Sequence, residues 1–138
     1  ARSFDHLGTY RGVTLIDDDA IEPSDVAETL ELARMVYGRR RLWAVYAPSR
    51  GDALPLSCLA PADRVLWLGH GGIADSDLPK RASESPDWLR QAADHEEALW
   101  NLDRHLEPGD VLVTLGSGET GTIADAFIRR LPRDRQGR

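Results

Sequence analysis

The stretch Asp110-Val111-Leu112-Val113-Thr114-Leu115-Gly116-Ser117-Gly118-Glu119-Thr120-Gly121 decides the fold. Its first half is apolar almost throughout rather than alternating, the pattern of a strand covered on both faces in a parallel sheet. Its second half reads as a glycine loop and the first turn of a helix. Behind it Ile123, Phe127 and Leu131 recur at helical spacing, Arg129 and Arg130 stand in the last turn, and Pro132 ends the helix. Gly116, Gly118 and Gly121 have G-x-G-x-x-G spacing, which lets backbone N–H groups and a helix N-terminus approach an anion. A dinucleotide site needs more: a second strand with an acidic residue about 20 positions on, to hold the ribose. The seventeen residues after Gly121 hold one helix and a polar tail, so no such strand follows within the sequence.

Working outward, the same strand and helix grammar repeats. Gly12 to Asp17 reads as a strand ending in Asp17, Asp18 and Asp19. Pro23 suits the first position of a helix whose buried face is Val26, Leu30, Ala33 and Tyr37, with Gly38 as its stop. Arg39 to Arg41 invite a phosphate reading but are better taken as a solvated turn. Leu42 to Ala47 and Val65 to Leu68 are fully apolar strands, with a short weak helix over 52–61 between them. Gly69-His70-Gly71-Gly72 is a loop at a strand's carboxyl end; His70, with no matching partner, is read as a loop residue rather than a base. Residues 1–9 and 73–87 lack periodicity and read as irregular, and Trp88 to Ala92 as either a short edge strand or a helical turn. Asp94 and Glu97 have the spacing of a capping box, and the helix behind them buries Ala98, Leu99, Leu102 and Leu106 and stops at Pro108-Gly109.

Strands alternating with helices define an α/β class: a three-layer, Rossmann-like domain with a mostly parallel sheet of about six strands and helices on both faces. Ligands of such sheets bind beyond the carboxyl ends of the strands. Asp17 to Glu22, Gly69 to Gly72 and Gly116 to Thr120 fall there together. The acidic segment from Asp17 to Glu22 is either a functional edge or an ordinary solvated strand end.

The bulk numbers narrow the field. A chain of 138 residues is one domain with room for a real core. A net charge of −6 argues against a nucleic-acid surface, and no apolar run is long enough to span a membrane. One cysteine and four scattered histidines exclude an internal disulfide and argue against a zinc site, leaving Cys58 as a small buried apolar residue. No signal peptide is visible, so the cytoplasm is the expected compartment. A first residue Ala1 in place of Met suggests a segment of a longer protein.

Several stretches, taken in order, resemble the C-terminal domain of the Mur ligase family, nearest the UDP-N-acetylmuramate–L-alanine ligase branch. They are Arg2-Ser3-Phe4, Gly12-Val13 running to Asp17-Asp18-Asp19-Ala20-Ile21-Glu22-Pro23, Gly38-Arg39-Arg40, Ala62-Asp63-Arg64-Val65, Pro108-Gly109-Asp110 and Gly116-Ser117-Gly118-Glu119. The chain departs from the family at Asp19 (a Tyr there), at Ile21 and Glu22 (two His), and at Ser49-Arg50-Gly51, a reduced form of a His-Tyr-Ser-Arg-like run.

The resemblance implies a single domain over 1–138, with 1–9 as the hinge from a central domain and 133–138 as a tail. It implies partnership with N-terminal and central ligase domains, ATP and Mg²⁺ bound mainly by the central domain, and carboxylate and amino-acid substrates joined as an amide. Asp17, Asp18 and Arg50 would lie on the nucleotide side, and Gly116, Ser117, Gly118 and Glu119 on the amino-acid side. No catalytic residue and no metal ligand is assigned. With no G-x-x-x-x-G-K-[ST] loop in the chain, the domain alone is expected to be inactive. The alternative is a non-catalytic binding or scaffolding module that kept the fold.

Overall fold

Three strands carry the architecture, and each is buried along its whole length: β3 (Leu42–Tyr46), β4 (Arg64–Leu68) past its first residue, and β6 (Val111–Leu115). The computed structural model describes residues 4–20, 22–48, 54–69, 79–116 and 119–130, without the side chains at 81, 119–122 and 130. Six strands form one sheet in the order β1-β2-β6-β3-β4-β5, with β1 at Phe4–Tyr10, β2 at Val13–Asp18 and β5 at Leu89–Ala92. All neighbours pair in parallel except β1, which runs antiparallel to β2.

Side chains alternate across the sheet and build two cores. On one face Val111, Val113 and Leu115 meet Val26, Leu30 and Ala33 of α1 (Pro23–Tyr37). On the other, Leu15, Trp43, Val45 and Leu112 meet α3 (His95–His105) and α4 (Glu119–Arg130) through Ala98, Leu102, Ile123 and Phe127. This is the expected three-layer arrangement. The Asp94 cap is also as expected: its carboxylate accepts the Glu97 N–H at 2.9 Å, satisfying an otherwise unpaired donor of the first turn. Gly38 closes α1, its N–H reaching the Arg34 carbonyl.

Several expectations are corrected. Within 1–9, Phe4–Tyr10 is an edge strand rather than irregular. It turns back through Arg11 (φ 53°) and Gly12 (φ 81°), a two-residue hairpin with both φ values positive, and a bulge between His6 and Gly8 blurs its alternation. The weak helix over 52–61 is a single 3-10 turn, Leu56–Leu59. Within 73–87 there is a short helix, α2 (Lys80–Glu84). The α3 helix stops at His105, before Pro108-Gly109. Trp88 to Ala92 resolves to the edge strand β5, anchored by Trp88, whose buried indole N–H donates to the Ala62 carbonyl at 2.9 Å. Cys58 is partly rather than fully buried against the first core, and that burial pushes its thiol pKa up.

Of the arginine turn, Arg39 is exposed as expected, whereas Arg40 and Arg41 are engaged by the protein itself. Arg41 makes a two-nitrogen bond to Asp110, and Arg40 donates to the carbonyls of Gly109 and Asp110 and to the Thr14 hydroxyl. Next to it, Arg34 bridges the carbonyls of Gly38, Arg40 and Pro61 and the Asp63 carboxylate, which also accepts the Leu42 N–H. These bonds gather the starts of β2, β3, β4 and β6 at the amino edge of the sheet. Gly12 belongs to the same cluster: a Cβ there would lie 2.8 Å from Pro108 Cβ, so the hairpin tip sits against the turn that feeds β6 only because it has no side chain. The segments around Gly38, Asp63 and Asp110 thus hold the frame together, on the side away from the strands' carboxyl ends.

Candidate functional site at the carboxyl edge of the sheet

Asp18, Leu115, Tyr46 and Trp67 are register neighbours across four parallel strands, so β2, β6, β3 and β4 end level with one another. Beyond them lie the turn into α1 and the loop from Gly116 (φ 113°) into α4. The central position of β6 puts Gly116 beside the end of β2.

The run Asp17-Asp18-Asp19 is not one patch. Asp18 points toward α1 and is 1% exposed. Its Oδ1 accepts the Ala20 N–H at 2.8 Å and its Oδ2 the Thr29 hydroxyl at 3.3 Å. Both oxygens therefore shape the β2–α1 turn from beneath. Asp17, one residue earlier, faces the other core, where the Thr114 hydroxyl of β6 donates to its Oδ1 at 2.6 Å. Burial pushes the Asp17 carboxyl above the ordinary carboxylate range; the Thr114 bond pulls against this, and the charges of Asp5, Asp125 and Asp19 add to the rise. Asp19 and Glu22 are exposed.

Asp17, Asp18 and Gly116 are thus brought to one edge, as the sequence suggests, but with Asp17 and Asp18 on opposite sides of the sheet. Arg50, Ser117 and Gly118 lie outside the described residues, as does His70, and of Glu119 only its place as the first residue of α4 is described. Reading from sequence passed over Thr29, Thr114 and Asp125. The signal for Thr114 was there: a lone hydroxyl in Val-Leu-Val-Thr-Leu, a strand buried at every position, requires a hydrogen-bond partner.

Among the described residues no group of three His, Cys, Asp or Glu side chains is placed to hold a metal ion. Asp18 is committed to the turn and Asp17 to the Thr114 hydroxyl. The described edge does not fit Mg²⁺ or a triphosphate by itself. A cleft of about 270 Å³ floored by Val13, Leu102, Leu106, Pro108 and Phe127 lies at the opposite, amino edge and shares no residue with this site.

A three-layer α/β domain whose carboxyl edge joins an acidic strand end to a glycine loop is the class that fold and site define. The chain belongs to the Mur ligase family, matching the profile of the Mur ligase glutamate ligase domain over residues 4–118. It is 33% identical over 142 aligned residues to a UDP-N-acetylmuramate–L-alanine ligase from Nitratidesulfovibrio vulgaris, covering 92% of this chain and 31% of that protein. The chain therefore spans about a third of the length of the curated relatives it matches. Among solved structures, it superposes on a domain of a proposed UDP-N-acetylmuramate:L-alanyl-γ-D-glutamyl-meso-diaminopimelate ligase from Haemophilus ducreyi (TM-score 0.75, 20% identity, 93% of this chain and 98% of that one). It also superposes on the UDP-N-acetylmuramate–alanine ligase of Thermotoga maritima (TM-score 0.69, 19% identity, 92% of this chain and 29% of that one). These likenesses make it a Mur ligase C-terminal domain in fold and family.

Proposed function

We propose that the chain is the C-terminal domain of an ATP-dependent ligase that forms an amide between a carboxylate substrate and an amino acid, and that it works with N-terminal and central domains joined to it. The observation that carries this reading is the family match across 4–118, which takes in both edge segments in order. The relatives' names suggest UDP-N-acetylmuramate and L-alanine as the first substrates to try. Residues 1–9 serve as the connection to the central domain, with Phe4–Tyr10 doubling as sheet edge. We assign Asp17, Asp18 and Arg50 to the nucleotide side, with Asp18 acting from beneath by holding the turn. Gly116, Ser117, Gly118 and Glu119 face the incoming amino acid.

ATP and Mg²⁺ are held mainly by the central domain, in keeping with the poor fit of this edge to either. The chain's own contribution is placement: closing over the nucleotide, excluding water and setting the amino acid. The compartment is the cytoplasm, where ATP is supplied, and the net charge of −6 is that of a domain with no nucleic-acid partner. The test is amide formation and ADP release by the full-length gene product with ATP, UDP-N-acetylmuramate and a panel of amino acids. Turnover with at least one amino acid is expected; a folded, ATP-binding protein that joins none of them overturns the reading.

A second reading, a binding or scaffolding module that kept the fold, is favoured by one observation. Exposed Asp19 and Glu22 stand at the turn after the acidic strand end, where they would repel a polyphosphate. Loss of the amide-forming activity on mutating Asp18 or Glu119 excludes it.

A further inference from the structure

We propose that Asp17 is a positioning residue for the glycine loop: holding a proton, it ties β2 to β6 through Thr114 immediately before Gly116, and releasing that proton loosens the tie. The Thr114 side chain is fully buried and its hydroxyl has two acceptors in reach, Asp17 Oδ1 at 2.6 Å and the Ile16 carbonyl at 3.3 Å. It has one proton to give. With Asp17 ionised, that proton goes to the carboxylate and the bond to Ile16 is not made. With Asp17 protonated, its own O–H donates to Thr114 Oγ, and Thr114 donates onward to Ile16. Two bonds then run between β2 and β6 instead of one, and only one proton, lost to solvent, separates the two states.

The surroundings favour the protonated state. Asp5 of β1 is the register partner of Asp17 on the antiparallel side, and like charges so placed repel. Asp125 of α4 and Asp19 of the following turn add negative charge, and Thr114 of β6 is neutral; among the described residues no basic group is among those acting on Asp17. The upward displacement of the Asp17 carboxyl agrees with this geometry. For an acid raised by folding, the stabilising contribution is present below the carboxyl's unfolded value and is lost as pH rises through its folded value. The tie is therefore made at low pH and released on the alkaline side. Its position matters because Thr114 stands two residues before Gly116, on the strand that delivers the loop. That functional weight rests on the reading of 116–119 as the amino-acid side.

The test is a pH titration of this 138-residue chain followed by NMR. The Asp17 ¹³Cγ signal is expected to titrate above the ordinary carboxylate range because its carboxyl is buried among like charges, with the Leu115 and Gly116 amides following the same midpoint. Asp17→Asn, whose amide donates permanently to Thr114, should remove that step and retain at high pH the melting temperature that the wild type shows at low pH; Asp17→Ala should not. An Asp17 signal that titrates within the ordinary carboxylate range, or amides at 115 and 116 that ignore its midpoint, overturns the proposal. If Asp17→Asn fails to fold, the wild-type titration decides alone. Absence of amide formation by the full-length protein would overturn the ligase reading and leave this titration standing, so the two failures are distinguishable.

Discussion

Arg41 and Asp110, 69 residues apart in the chain, meet at the amino edge of the sheet, with the Arg41 Nη2 2.7 Å from the Asp110 carboxylate and its Nε at 3.1 Å. The same carboxylate accepts the Trp43 indole N–H and the Glu107 backbone N–H, both at 3.0 Å. A carboxylate so enclosed is stable because every donor aimed at it is used.

Asp110→Ala would leave the buried indole N–H and the Glu107 N–H without their acceptor and take from the Arg41 guanidinium its main carboxylate, leaving it the His105 carbonyl and the Glu107 side chain. Removal of one member of a buried, hydrogen-bonded ion pair costs about 3 kcal/mol or more. Urea unfolding should show a loss of this size, and Asp110→Asn a smaller one, since an amide oxygen still accepts.

Gly12→Ala places a methyl group 2.8 Å from Pro108 Cβ at a backbone φ of 81°. Strain of this kind costs on the order of 1–3 kcal/mol. The expected result is a lowered melting temperature, with the damage seen by NMR at Pro108 to Asp110 rather than at the carboxyl edge.

Asp94→Ala removes the acceptor of the Glu97 N–H at the start of α3. Loss of such a cap costs about 1 kcal/mol. Hydrogen exchange should rise first in the 95–98 turn; Asp94→Ser should recover most of the stability.

Glu119→Ala, made in the full-length protein, is expected to raise KM for the amino acid several-fold more than KM for ATP. Equal effects on both would count against placing the loop on the amino-acid side.

Much of this was legible from sequence, and the exceptions have physical causes. Strands β3 and β6 declare themselves because buried parallel strands are apolar on both faces. The Asp94 cap and the Gly38 stop are local, and local chemistry is visible locally. Strand β1 was hidden by its exposed, bulged pattern and by a hairpin of Arg11-Gly12 in place of the commoner Asn-Gly. The arginine turn was misjudged because the partner of Arg41 lies far along the chain. At the candidate site the glycine loop was placed at the right edge, but the acidic run was taken as one surface. Its division was knowable in principle: adjacent residues of a strand point to opposite faces, so Asp17 and Asp18 had to part company.

The position of β6 has a consequence for how the molecule is made. The strands that precede it in the chain form two unjoined pieces, the β1–β2 hairpin and the β3–β4–β5 ribbon, and only β6 pairs with both. A nascent chain that has not yet released residues 111–115 from the ribosome holds two half-sheets with nothing between them. Completion of the sheet thus waits on residues 111–115 and is a late event in synthesis.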